Sequence, residues 1–252
     1  MALLPILRVD PADMPAHALV CGDPFRAEAI ARKLTDAKEL AYAREYRTFA
    51  GEYDGVPVAV VSHGVGSPGA AVCFEEMIKA GVTTIIRVGT AGALADGLRA
   101  GGLIVSTAAV REEGLTRQLV PLAFPAVADG AVTEALYEAA LAVPGEGAVG
   151  KGVTLTMDAF FSGVVELPHR TYKQAGVLAV EMEIAALYVV AALRGARAGA
   201  IVALDGDSTA VDEEYDPHRN VVAEAVDREI EAALRALAKL ARQAKQGKQA
   251  GG

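Results

Sequence analysis

Four short apolar runs stop abruptly at glycine or at a charged residue, and this pattern constrains the fold more than any other feature of the chain. The runs end at Gly22, Gly64, Gly89 and Asp205. Continuous Val/Ile/Leu runs are typical of buried parallel strands, and ligands of open α/β sheets bind just past the carboxyl ends of such strands. Because Arg26 and Arg87 lie near two of these ends, the pattern predicts a pocket with an anion site beside an acid, Asp205.

Helical patterns alternate with the strands and predict an α/β fold. The predicted helices are Pro24 to Leu34, Pro68 to Ala80, Ala131 to Ala142, Glu181 to Leu193 and about Asn220 to Lys245. Asp54-Gly55 is a strong hairpin signal between two strand-like segments, so the central sheet is expected to be mixed. We predict a single domain over residues 1–245, flanked by helices, and a flexible C-terminal tail over 246–252.

Composition excludes several classes of protein. Hydrophobic residues make up 52% and charged residues 22% of the chain, which indicates a large core or a surface covered by another subunit. The net charge of −8 argues against nucleic-acid and anionic-membrane partners. The longest apolar stretch is too short for a bilayer, and the apolar N-terminal stretch is interrupted by Pro5 and Arg8. Cys21 and Cys73 have no metal-binding spacing, so we expect a cytoplasmic, reduced and metal-free protein.

Residues 64–69 match the pattern GxGxxG, which by itself suggests a dinucleotide-binding enzyme such as an NAD(P)-dependent oxidoreductase. However, the motif does not follow the first strand, and Pro68 stands where helix amides should face a pyrophosphate. The next strand ends near Arg87 rather than at an acid for the ribose hydroxyls. The glycines are therefore expected to let the backbone approach a smaller ligand.

Two arginines are candidates for the anion site. Arg26 lies in the first turn of a predicted helix, where free amides favour an anion. The alternative for Arg26 is an ordinary surface arginine in a helix capped by Asp23. Arg87 lies inside an apolar strand, three residues before the hydroxyl of Thr90. Burying an arginine unpaired is costly, so the alternative for Arg87 is an ion pair with Glu75 or Glu76.

Acidic and aromatic residues supply the remaining candidates. Of Glu181 and Glu183, one is expected to complement a helix dipole, and the other suits the vicinal hydroxyls of a ribose. Asp205 is a candidate general acid or a turn cap, and Asp207 has the same two options. Phe160 and its neighbour form either a stacking wall for a base or a core and surface pair.

Taken together and in this order, these segments resemble the nucleoside phosphorylase family, which includes hexameric purine nucleoside phosphorylases and uridine phosphorylases. The resemblance covers nearly the whole chain and is carried by GDPFRAEAIA, AREYRTFAGEYDGVPVAVVSHGVGSPGAAVCFEE, IIRVGTAGAL, AVEMEIAALY and ALDGD. The stretch from SHGVGSPGAAVCFEE to LDGD looks especially like the purine phosphorylases of malaria parasites. The family fold implies a mixed, partly barrel-like sheet flanked by helices.

The resemblance also implies a role for each matched residue. Phosphate would be bound by Gly22, Arg26, Arg87, Thr90 and the partner subunit's Arg44; ribose by Tyr46, Met182 and Glu183; and the base by Phe160, Val180 and the acid Asp205, acting at purine N7. Inorganic phosphate would be a co-substrate, with no other cofactor and no metal. The expected assembly is a homo-oligomer, a hexamer built as a trimer of dimers with shared active sites.

The predicted reaction converts a purine ribonucleoside and phosphate into free base and ribose 1-phosphate. The alternatives are a uridine phosphorylase of the same family, an NAD(P)-dependent oxidoreductase and a non-catalytic nucleoside-binding protein. Purine is favoured over uracil because the segment 160–166 lacks the Gln-x-Arg pair that uridine phosphorylases use. Ile6 stands where relatives commonly carry a histidine for the 5′-hydroxyl, which predicts tolerance of 5′-deoxy and 5′-methylthio nucleosides.

Overall fold

The computed structural model describes residues 2–208 and 218–250, with the backbone alone for 247–250. Its strands are β1 His17–Cys21, β2 Thr35–Ala43, β3 Tyr46–Tyr53, β4 Val56–Ser62, β5 Thr84–Ala93, β6 Leu103–Glu112, β7 Ala126–Val127, β8 Val149–Met157, β9 Ala179–Glu181 and β10 Arg197–Asp207. Its α-helices are α1 Pro24–Ala31, α2 Ser67–Lys79, α3 Leu115–Leu119, α4 Gly130–Ala142, α5 His169–Gln174, α6 Ile184–Arg194 and α7 Asn220–Ala250.

The sheet is mixed and part of it closes on itself. Strands β10, β6, β8, β9 and β5 are neighbours in that order, and β10 also pairs with β5, which closes a five-stranded barrel. From β5 the sheet continues as an open wing through β1, β4, β3 and β2. The predicted mixed, partly barrel-like sheet is confirmed.

Helices cover both faces of this sheet. Helices α2 and α6 pack with the N-terminal segment in one hydrophobic cluster, and α1, α4 and α7 pack in a second cluster on the other face. The fully buried Tyr188 of α6 donates its hydroxyl hydrogen to the Ser106 carbonyl at 2.9 Å, so its polar end is satisfied inside the core. Cys21 and Cys73 are buried free thiols.

The predicted hairpin is present between β3 and β4. Tyr53 pairs with Val56 in the antiparallel register, and the two turn residues, Asp54 and Gly55, have φ values of 51° and 71°. Positive φ at both positions is the geometry that makes Asp-Gly favourable in a two-residue turn. Beyond the hairpin, β4 runs parallel to β1, which begins the parallel part of the sheet.

Three predicted helix boundaries differ from the structure by three residues or more. Helix α1 ends at Ala31 rather than at Leu34. The helix predicted to begin at Glu181 begins at Ile184, because Glu181 is the last residue of β9 and Glu183 is the N-cap. Helix α7 continues past Lys245 to Ala250, although the assignment of 246–252 as a flexible tail stays a prediction. No helix in the described part of the chain combines the length and apolarity needed to cross a membrane.

Candidate active site

Four strands bring the predicted site residues to one edge of the sheet. β1 runs parallel to both β4 and β5, with Val20 in register with Arg87. β10 also runs parallel to β5, and Ala203 is in register with the partly exposed Thr90. Because the carboxyl ends of these strands meet, residues that follow β1 and β4 lie beside the ends of β5 and β10.

The loops after β1 and β4 touch through their backbones. The Gly64 amide donates to the Gly22 carbonyl at 3.0 Å, and a Cβ on Gly22 would lie only 3.1 Å from the Gly64 carbonyl oxygen. Gly64 and Gly66 have φ values of 75° and 97°, which favour glycine. The glycines thus permit a close approach of two strand-end loops.

Arg87 is buried and held by two carboxylates. Its Nη2 donates to Glu181 Oε2 at 3.1 Å and also to Glu183 Oε2, and its Nε faces Glu181 Oε2 at 3.3 Å. Burial alone would lower the pKa of Arg87, but the charges of Glu183 and Glu181 raise it, so the guanidinium stays protonated. One Nη1 hydrogen points toward the Val88 carbonyl at 3.4 Å, which leaves the other without a protein acceptor among the described residues.

Arg87 does not pair with Glu75 or Glu76, the two acids considered as the alternative explanation for a buried arginine. Glu76 accepts hydrogen bonds from the backbone amides of Ile6 and Leu7, and Glu75 pairs with Arg194 on α6. Both acids belong to α2, whose opposite end faces the site. The carboxylates that hold Arg87 come instead from the β9–α6 connection.

Glu181 is the structural member of the two acids in that connection. Its carboxylate accepts from the amides of Glu183 and Ile184, at 2.7 Å and 2.9 Å, at the N-terminus of α6. It also accepts the hydroxyl hydrogen of Thr156 at 2.5 Å. Glu181 therefore accepts hydrogen bonds from the free amides at the start of α6, and it also orients Arg87.

Glu183 faces the glycine loop. Its Oε1 accepts the backbone N–H of Gly66 at 2.6 Å, while its Oε2 contacts Arg87. Burial raises the pKa of Glu183, against the opposing effect of the Arg87 charge. A carboxylate on this amide would repel a pyrophosphate, which is a physical reason against dinucleotide binding at GxGxxG.

Arg26 and Arg87 converge on the same region. Nη1 of Arg26 lies 3.8 Å from Oε1 of Glu229, a fully buried residue of α7, and the charges of both arginines lower the pKa of that carboxyl against its burial. Burial, and then the charges of Arg87 and Arg26, hold the pKa of His63 well below its usual value. His63 is therefore neutral, and the positive charges beside it are those of the two guanidinium groups.

Asp205 occupies an irregularity in β10. The register with β5 runs from Leu204–Ala91 directly to Gly206–Gly92, so Asp205 is the extra residue of a bulge. Bulges turn a side chain out of its regular direction and are common near active sites. Asp205 is 5% exposed, and its carbonyl accepts a 2.7 Å hydrogen bond from Arg219. Base preference is expected from the sequence to depend on loop positions around 207 to 218, of which 209–217 lie outside the described residues.

The predicted ribose and base residues are arranged around this edge. Tyr46 is buried, and its hydroxyl donates to the Gly69 carbonyl at 3.1 Å. The Met182 carbonyl accepts from Ser67 Oγ at 2.8 Å, and Val180 is in register with Gly92 of β5. Phe160 is 52% exposed in the loop after β8, edge-to-face with Phe161.

Arg44 is separate from the other predicted phosphate residues within one chain. It is exposed at the tight turn between β2 and β3, with φ of 57°. Its side chain has no hydrogen bond or ion pair to any residue that the structure describes. This position is compatible with a contribution to another subunit.

Three residues of the site were missed from the sequence. Glu229 lies inside a helical pattern that looked amphipathic, Arg219 precedes that helix, and His63 ends an apolar run. A charged residue on the apolar face of a helix, as Glu229 is, was the available signal. Within residues 2–208 and 218–250, no group of three or more His, Cys, Asp or Glu side chains has metal-binding geometry.

Comparison with known proteins shows the family of this chain. The sequence profile of the Phosphorylase superfamily matches residues 16–244. The uridine phosphorylase of Thermococcus kodakarensis is 40% identical over 206 residues, which cover 77% of this chain and 74% of that protein. The purine nucleoside phosphorylase of Plasmodium falciparum is 37% identical over 244 residues, which cover 95% and 97%. The crystal structure of purine nucleoside phosphorylase from Toxoplasma gondii in complex with immucillin-H matches with a TM-score of 0.91 and 34% identity, over 96% and 98% of the chains.

The chain belongs to the phosphorylase superfamily. The assignment to the nucleoside phosphorylases, which are pentosyltransferases, is confirmed, as is the resemblance to the purine phosphorylases of malaria parasites. The roles of individual residues remain predictions.

Proposed function

We propose that this protein cleaves the N-glycosidic bond of purine ribonucleosides with inorganic phosphate, giving free base and ribose 1-phosphate. The observation that carries the proposal is the convergence of Arg26 and Arg87 at strand ends that also hold Glu183 and Asp205. An oxyanion site, a buried carboxylate and a second acid are the groups that this reaction needs. Phosphate is the co-substrate, and no other cofactor enters the reaction.

Phosphate is held by Arg26, Thr90, the free Nη1 hydrogen of Arg87 and the backbone beside Gly22. Arginine suits this role because its planar fork fixes the orientation of phosphate oxygens. As the C1′–N9 bond breaks, positive charge develops on the ribose, and the phosphate below the ring stabilises that charge. A phosphate oxygen then forms the new bond to C1′.

Glu183 binds the 2′- and 3′-hydroxyls, and Met182 supports the sugar ring. The electron pair of the broken bond goes to the base, so a proton or a hydrogen bond at N7 lowers the barrier. Asp205 supplies it from the bulge of β10, since bulges turn side chains out of their regular direction. Tyr46 lies near the sugar, and Phe160 and Val180 line the base.

Uridine phosphorolysis is the second candidate, supported by the relative from Thermococcus kodakarensis. The purine assignment is favoured because residues 160–166 contain no Gln-x-Arg pair for the uracil edge. The dimer-based assembly, a hexamer with the partner subunit's Arg44 in each site, and the cytoplasmic location belong to the same proposal.

A substrate panel with and without phosphate tests these alternatives. Base release from inosine and guanosine is expected only when phosphate is present, with ribose 1-phosphate as the second product. Faster phosphorolysis of uridine than of either purine nucleoside would favour the second candidate. Phosphate-independent hydrolysis, or no reaction with any nucleoside, would contradict both.

A further inference from the structure

Glu229 is a buried acid that the proposed reaction does not use. It lies on α7, which packs against the sheet face that α1 also covers. Its side chain is fully buried, and neither carboxyl oxygen has a hydrogen-bond partner. The amides of Gly89 and Ala203 are near enough to lower its pKa, but neither reaches hydrogen-bond geometry. A buried acid without a hydrogen bond is costly, which points to a function.

The residues around Glu229 are those of the proposed oxyanion site. The Arg26 Nη1 lies 3.8 Å from Glu229 Oε1, and Arg87 acts on the same carboxyl through its charge. The guanidinium of Arg87 rests against Gly89, where any Cβ would overlap it. Cys21 at the end of β1 is the third titratable neighbour, and its pKa is raised to about 12 by burial, so it stays neutral. The charged groups that face Glu229 from α1 and β5 are therefore the two arginines.

The position creates a conflict when phosphate binds. An ionised Glu229 would attract Arg26 and repel an oxyanion placed between the two arginines. A protonated Glu229 would do neither, and would leave both positive charges for the ligand. Burial already raises the pKa of Glu229 to about 8, and a nearby oxyanion must raise it further.

We propose that Glu229 is a proton-linked positioning residue of the oxyanion site: its carboxylate, when ionised, holds Arg26 in the empty site, and an oxyanion then binds together with one solvent proton that neutralises Glu229. In this step the Glu229 carboxylate gains one proton from solvent, and no other covalent bond forms or breaks. The inference rests on the proposed phosphate site. It predicts that oxyanion affinity falls at alkaline pH because Glu229 becomes ionised, independently of any change in the charge of phosphate.

Sulfate distinguishes titration of Glu229 from titration of the ligand, because the charge of sulfate is constant at neutral and alkaline pH, whereas phosphate titrates. We suggest calorimetric titration of sulfate and phosphate into the purified full-length protein, in buffers of different ionisation enthalpy, from about pH 7 to about pH 9. The variants are Glu229→Gln, which mimics the neutral acid, and Glu224→Gln, an exposed control on the same helix.

The wild type and Glu224→Gln are expected to take up a proton with sulfate near pH 8, and to lose affinity by up to about tenfold per pH unit above it. Glu229→Gln is expected to bind sulfate without proton uptake and with a flat pH profile. If wild type and Glu229→Gln took up protons equally and showed the same dependence of sulfate affinity on pH, the inference would be overturned. Absence of both sulfate and phosphate binding in the wild type would instead contradict the proposed phosphate site.

An infrared difference spectrum of the wild type gives a readout that does not depend on the folding of a variant. Addition of sulfate near pH 8.5 should produce a new band of a protonated carboxyl group, because this group absorbs at a different infrared frequency from a carboxylate. Binding of sulfate without that band would overturn the inference.

Discussion

The Gly66 amide donates a 2.6 Å hydrogen bond to Oε1 of Glu183, across 117 residues of sequence. This bond joins the glycine loop after β4 to the N-cap of α6, and the other oxygen of the same carboxylate contacts Arg87. The predicted ribose residue is thus bonded both to the glycine motif and to a predicted phosphate residue. Replacement of any member of this trio is expected to disturb the other two.

Glu183 and Glu181 are expected to respond differently to the same substitution. Glu183→Gln should lower kcat/KM for inosine by about 10–100-fold, from the roughly 1.5–3 kcal/mol of a hydrogen bond to a charged group. The loss should be smaller for 2′-deoxyinosine, which lacks one hydroxyl. Glu181→Gln should lower the melting temperature, because Glu181 accepts the first amides of α6, and should raise the KM for phosphate, because Glu181 orients Arg87. Equal losses on both nucleosides in Glu183→Gln would argue against ribose recognition.

Arg26→Ala is expected to raise the KM for phosphate by about 10–100-fold, because it removes a charged donor from the anion site. The matched control is Arg32→Ala at the C-cap of the same helix, where the side chain is 75% exposed and pairs with Glu28. Steady-state kinetics at varied phosphate would separate this effect from nucleoside binding. An unchanged phosphate KM in Arg26→Ala would remove Arg26 from the site.

Asp205→Ala is expected to lower kcat for purine phosphorolysis by about 10²–10⁴-fold, the usual contribution of a positioned acid. The KM for phosphate should change little, since Asp205 acts on the base. Asp207→Ala, two residues further along β10, is the control and should remain active. If the effects of the two variants were exchanged, Asp207 would be the acid.

Arg44→Ala and Asp205→Ala provide a test of shared active sites. Each variant alone should be nearly inactive. Co-expressed in equal amounts, they should recover about a quarter of the wild-type sites, because half of randomly paired dimers are mixed and each mixed dimer has one intact site. Activity no greater than the sum of the separate variants would show that Arg44 is not donated across an interface.

Glu229 should also make the stability of the fold depend on pH. Its folded pKa of about 8 lies above its ordinary value of 4.5, so the folded state binds more protons than the unfolded state between these values. Its contribution to stability is therefore complete below about pH 4.5 and is lost as the pH rises toward 8. Relative to Glu229→Gln, the wild type should lose a few kcal/mol of unfolding free energy across this range, measurable by urea titration. Parallel pH profiles would contradict the raised pKa.

Local patterns in the sequence predicted much of the fold because short-range interactions along the chain determine many helices, strands and turns. Apolar runs, the Asp54-Gly55 turn and helix starts such as Pro24 depend on neighbouring residues alone. The start of α6 was misplaced because Glu181 and Glu183 fit a first helical turn equally well. Only the pairing of β9 with β5 and β8 distinguishes them.

The sequence by itself determined the alternation of strands and helices, the family, and the strand ends at which a ligand can bind. The tertiary structure decided the partners of the buried charges. Arg87 meets Glu181 across 94 residues, and Glu229 reaches Arg26 from the last helix. Such pairings depend on which elements become neighbours in the closed barrel and its helical layers, and the desolvation of these charges follows only from that packing.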